Sequence, residues 1–134
     1  MGQSERVWQA VQLKDYLLDF YQLLGEPCDW RLAYTVCYIQ SDADQKGLLV
    51  KVGFENQAKV YLNGRELYRH DDGVLYVPDQ YVVAGVELKA GLNVVVFKVV
   101  RETIHGWLGS VRFSDAAGQP VKGIRVTLDP EGKN

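Results

Sequence analysis

The stretch Ala58-Lys59-Val60-Tyr61-Leu62-Asn63-Gly64-Arg65 decides the fold class. Ala58, Val60 and Leu62 fall on one face of an extended chain, and Lys59 and Tyr61 on the other. Asn63-Gly64 follows directly. A type I′ turn needs positive φ at both central positions and Asn-Gly suits it best, so the stretch predicts a strand running into a tight hairpin. Upstream, Leu48, Val50, Val52 and Phe54 alternate in the same way within residues 48–54.

The pattern continues in both directions. Residues 31–40 are rich in Val, Leu, Tyr and Ile and predict another strand. Residues 81–88 predict a strand with Val82, Ala84, Val86 and Leu88 on one face, and Ala90-Gly91 a turn after it. Asn93 to Val100 is strongly apolar and suits the centre of a sheet, with Lys98 turned outward and its stem packed on the sheet. Residues 107–113 and 121–128 complete the set across the Asp115 to Pro120 turn; Asp72-Gly73 is a further turn signal. Many short strands between turn residues predict an all-β antiparallel sandwich.

The first thirty residues read differently. Val7 to Val11 has the composition of a strand, and residues 13–24 that of a short helix ending at Gly25 and barred by Pro27. Leu13, Leu17, Phe20, Tyr21 and Leu24 would form its packed face. The expected organisation is one domain over 1–134, with a lead-in over 1–29, the sandwich over 30–128 and a tail over 129–134.

Composition narrows the function. The chain has 134 residues, 47% hydrophobic and 24% charged, which is ordinary for one globular domain. Its net charge of −2 and pI near 5.6 argue against nucleic acid as a partner. No apolar run approaches a membrane span, and the start Met1-Gly2-Gln3-Ser4-Glu5-Arg6 shows neither a signal peptide nor a myristoylation site. Met1-Gly2 also reads as a cloning remnant on a domain cut from a longer protein.

Catalytic motifs for nucleophilic hydrolysis, zinc or phosphate chemistry are absent, and the histidines are His70 and His105. The chain reads as non-catalytic. Asp42, Asp44, Asp71, Asp72 and Asp115 sit beside turns, where they satisfy backbone donors. A structural calcium site built from such acids is the competing reading, and otherwise no cofactor is expected. Cys28 and Cys37 form no redox or zinc motif, and Cys37 reads as a small buried side chain. Whether the two are bridged stays open.

The run Val60-Tyr61-Leu62-Asn63-Gly64-Arg65-Glu66-Leu67 resembles the hairpins of galactose-binding-like jelly rolls, including carbohydrate-binding domains attached to glycan-active enzymes. Val86 to Val99 resembles the matching strand pair, with Leu88, Gly91, Asn93 and Lys98 at the motif positions. Ala33-Tyr34 before Ser41-Asp42 resembles the opening strand, and Trp107 with Val111-Arg112-Phe113 and the Asp115 to Gly118 turn the closing ones. The resemblance covers residues 30–128. Phe54-Glu55-Asn56-Gln57 departs from it, because relatives often carry paired acids there. The resemblance implies a non-catalytic, carbohydrate-binding accessory domain of a secreted bacterial protein, extracellular or periplasmic. The alternative is a structural domain that contacts other domains of its parent chain, or a second copy of itself.

Sugars offer apolar C–H faces to aromatic rings and hydroxyls to polar side chains. The candidate ligand-binding residues are therefore Tyr68, Arg69 and His70 after the hairpin, Tyr76 and Tyr81 flanking Pro78, and His105 and Trp107 around Gly106. The competing readings are packing for Trp107, Tyr68, Tyr76 and Tyr81, and solvated loops for both histidines. Tyr34 and Tyr38 are expected in the core or on a second face.

Overall fold

A computed structural model describes Ala10 and residues 17–24, 32–71, 76–100 and 108–129. The chain folds as an antiparallel β-sandwich. Its elements are β1 (Leu18–Asp19), α1 (Phe20–Leu24), β2 (Leu32–Ser41), β3 (Gln45–Phe54), β4 (Gln57–Leu62), β5 (Arg65–His70), β6 (Tyr81–Leu88), β7 (Gly91–Val100), β8 (Leu108–Ser114) and β9 (Ile124–Thr127). One sheet has the order β1-β8-β3-β6 and the other β5-β4-β7-β2-β9. The core lies between them: Val50, Val52 and Phe54 from β3 meet Val60 from β4 and Phe97 and Val99 from β7, all essentially buried. Alternation along each strand puts these residues on inner faces.

The expected hairpin is present, with φ of 50° at Asn63 and 81° at Gly64. A hydrogen-bond cluster ties it to the β6–β7 turn. Asn63 Nδ2 donates to Asn93 Oδ1 at 2.9 Å, and Val94 N donates to Asn63 Oδ1 at 2.8 Å. Asn93 is fully buried, and its amide nitrogen lies 2.8 to 3.3 Å from the carbonyls of Lys89, Gly91 and Ile39. The two Asn positions singled out in sequence are thus bonded to each other.

Several expectations need correction. In the described part of the helix predicted over 13–24, Leu18–Asp19 pairs with Leu108 and Gly109 as a sheet edge, and the helix is the single turn Phe20–Leu24. Residues 7–9 and 11–16 lie outside the described residues, as does the Asp72-Gly73 turn. The last strand begins at Ile124, since Lys122 and Gly123 bend. Val82, Ala84, Val86 and Leu88 do not share a face. Leu48 pairs with Val86 and Val50 with Val83, so β6 carries one extra residue there. Gly85, at φ of 69°, sits in this bulge. Val86 and Leu88 stay buried, while Val82 turns outward at 55% exposure. Tyr81 and Val83 take the inner face instead and pack on the core.

Tyr34 and Tyr38 are on the outer face of the five-stranded sheet, not in the core, and Tyr34 is 49% exposed. Cys37 has a free, half-buried thiol that packs on the core, and burial pushes its pKa up. Cys28 lies outside the described residues.

Candidate functional site

Tyr68, His70 and Tyr81 come from the two edge strands where the sheets open. Tyr68 and His70 lie opposite Val60 and Ala58, which makes both side chains face inward. A bulge at Leu67 sets this register: Val60 pairs with Tyr68 and Tyr61 with Glu66, which leaves Leu67 unopposed. Tyr81 arrives from β6 through the register shift described above. Phe54, the last residue of β3, closes the group from below.

The four rings form one cluster. Tyr81 stacks on Tyr68 at 5.3 Å and on Phe54 at 5.5 Å between centroids. His70 lies 5.0 Å from Tyr81 and 5.3 Å from Phe54. Phe54 is buried, whereas the other three are half-buried, so the cluster is open on one side. Tyr68 Oη is 3.3 Å from His70 Nδ1. Among the described residues, His70 Nε2 is buried and has no hydrogen-bond partner. Where the Tyr68 hydroxyl donates to Nδ1, the neutral imidazole carries its proton on Nε2 as an unused donor. Burial, with a smaller contribution from Tyr81, pushes the Tyr68 hydroxyl up to about 12. It therefore stays a neutral donor and acceptor at ordinary pH.

The remaining candidates divide. The competing reading of His70 is a solvated loop; the strand register places it in the ring cluster instead. Arg69 alternates away from its neighbours onto the outer face and bonds Asp71, with Nε 2.9 Å from Oδ2. Tyr76 crosses the outer face of the four-stranded sheet and donates to Ser110 Oγ at 3.0 Å. It approaches Gly53 so closely that a Cβ there would lie 2.6 Å from the Val77 carbonyl. Asp79, in the same crossing segment, is held by Arg112 through Nε at 3.0 Å and through NH2. That bond lowers the Asp79 carboxyl below its usual value. Tyr76 thus belongs to a strap rather than to the ring cluster. His105 and Trp107 lie outside the described residues.

Two of the turn acids accept from the backbone. Asp115 Oδ1 accepts from Ala117 N and Gln119 N, and Asp44 Oδ1 from Ala90 N. Among the described residues, no three His, Cys, Asp or Glu side chains gather as a metal site. Glu55-Asn56 forms the two-residue corner that carries the chain from one sheet to the other, and both residues are buried. The stretch that departs from the resemblance is therefore packed rather than offered to solvent.

Sequence reasoning missed Phe54 as a member of the cluster, because alternation marked it only as core. It also missed the pairing of Asp79 with Arg112, which are 33 residues apart.

No family model matches the chain, and no curated protein does. Among solved structures, the chain is similar to a family 35 carbohydrate binding module from an environmental isolate. The match has 20% sequence identity, covers 75% of this chain and 74% of that one, and has a TM-score of 0.47. A likeness at that level carries nothing about ligand or site.

Proposed function

We propose that the chain is a non-catalytic glycan-binding domain whose ligand meets the open edge between β5 and β6. The observation that supports this is the half-buried group Tyr68, His70 and Tyr81, with one imidazole nitrogen unbonded. Rings of this kind take the C–H face of a sugar. His105 and Trp107 are proposed for the same surface on the sequence alone. The ordered motifs over residues 30–128 add the resemblance to accessory domains, and with it an extracellular or periplasmic setting. Binding in this reading needs no cofactor, so a chelator leaves it unchanged.

The test is retention of the chain on a panel of soluble and insoluble polysaccharides, with fluorescence titration of each hit. Tyr81→Ala removes a stacking face, and His70→Phe keeps the ring but removes both nitrogens. Saturable binding to a glycan class that both variants weaken supports the reading. Absence of binding across the panel from a folded sample overturns it.

A second reading, a domain that contacts other protein surfaces, is favoured by one observation. Leu32 and Tyr34 are exposed on the outer face of the five-stranded sheet, with Val36, Tyr38, Val94 and Val96 half-buried beside them. Retention by a polysaccharide distinguishes the two.

A further inference from the structure

The outer face of the five-stranded sheet also carries a row of cations. Register places Arg69 opposite Lys59, Lys59 opposite Lys98, and Lys98 opposite Tyr34. The row crosses β5, β4, β7 and β2 in that order. Adjacent strands are about 4.8 Å apart, so three positive side chains leave the sheet in one line, one per strand. Like charges directly opposite each other destabilise a sheet. Core packing does not demand them, because Lys59 and Lys98 both face away from the buried residues Ala58, Val60, Phe97 and Val99.

The positive charge is only partly answered. Arg69 bonds Asp71, but both side chains are more than half exposed, and such pairs are weakly held. Among the described residues, no carboxylate forms an ion pair with Lys59 or Lys98. Lys98 Nζ lies 5.8 Å from the centre of the exposed Tyr34 ring. The next row along the strands is Tyr61, Val96 and Val36, with Glu66 at its β5 end. A line of cations thus borders an apolar, partly aromatic strip on a protein whose net charge is −2.

We infer that this row is a binding site for the acid groups of an anionic polysaccharide lying across the strands, with Tyr34 as its stacking ring. The polysaccharide class rests on the glycan reading above; the preference for acid groups comes from the row itself. One cation per strand presents repeated positive charge to a polymer with repeated negative charge. The adjoining rings and valines take the sugar C–H faces.

The experiment is affinity electrophoresis of the full chain in polygalacturonate, dextran sulfate and neutral dextran, with a single-stranded DNA oligonucleotide as competitor. The expected result is retardation by at least one acidic polymer, weakened several-fold by raising salt, and little retardation by dextran. Retardation by polygalacturonate alone or by dextran sulfate alone supports the site and assigns it carboxylate or sulfate. Lys59→Gln with Lys98→Gln is expected to reduce affinity about tenfold, the order expected when two charge contacts are lost. Its thermal midpoint should match the parent or exceed it, because the opposed charges are gone. Equal retardation by dextran, undiminished binding by the double variant, or displacement by the oligonucleotide at equal charge would each overturn the site. Failure of every glycan, acidic and neutral, removes the glycan reading as well. Neutral-glycan binding that depends on Tyr81 and ignores the two lysines removes only this inference.

Discussion

Asn93 shows how one buried polar side chain can organise this fold. Its carboxamide accepts from Asn63 and from the Lys89 backbone, and its nitrogen serves three carbonyls. Asn93→Leu keeps the branched shape but strands those groups away from water. The expected loss is about 3 kcal/mol, read as a lower denaturant midpoint. At Gly53 the constraint is space rather than bonding. Gly53→Ala puts a methyl group 2.6 Å from the Val77 carbonyl and 3.0 Å from the Tyr76 ring. The strap must lift, so the variant should lose about 1–3 kcal/mol and the Tyr76–Ser110 contact. Both residues are visible as types in the sequence, and Asn93 sits in a motif. Neither partner is legible there, because the hairpin turn and the strap are brought alongside only by the folded chain.

Bulges decide what the elements present. Alternation predicts most strands to within a few residues, since one face of each is buried and the other is not. It fails on β6, where a single extra residue at Gly85 reverses the faces and sends Tyr81 inward. It would also misplace Leu67 and Tyr68, which both pack on the core across the β5 bulge. A period of two has no way to announce such a shift. Gly85 is open to space but has positive φ, so Gly85→Ala tests the backbone alone. It should cost about 1–2 kcal/mol, read as a lower denaturant midpoint. The strap is tested by acid. Arg112 holds Asp79 below its ordinary value of 3.8, so the bond stabilises the fold at neutral pH. That stability is lost as pH falls below 3.8 through the lowered value. Arg112→Met should remove this acid-limb contribution while leaving the β5–β6 edge intact.

On the scale of the whole molecule, the two sheets close their core and leave the ring cluster at their shared edge. Tyr68 reports on that closure. Its hydroxyl is raised from 10.0 to about 12, so the folded chain keeps a proton that the unfolded chain loses. Stability from this group is complete below pH 10 and is lost as pH rises toward 12. Ultraviolet titration should show a late-titrating tyrosine in the parent that is lost in Tyr68→Phe. The sandwich was readable from turn residues and strand patterns, and three of the proposed site residues do meet. Arg69 and Tyr76 do not join them, because strand alternation turns Arg69 outward and the strap carries Tyr76 over the opposite sheet.

The most direct measurement is backbone amide chemical-shift mapping of the labelled chain against each glycan it retains. Shifts concentrated at Tyr68, His70 and Tyr81, saturating with added ligand, are the predicted result for a neutral glycan. Retention with no shifts at those residues, or shifts confined to the strap over Gly53, would contradict the assignment of the glycan site to the β5–β6 edge.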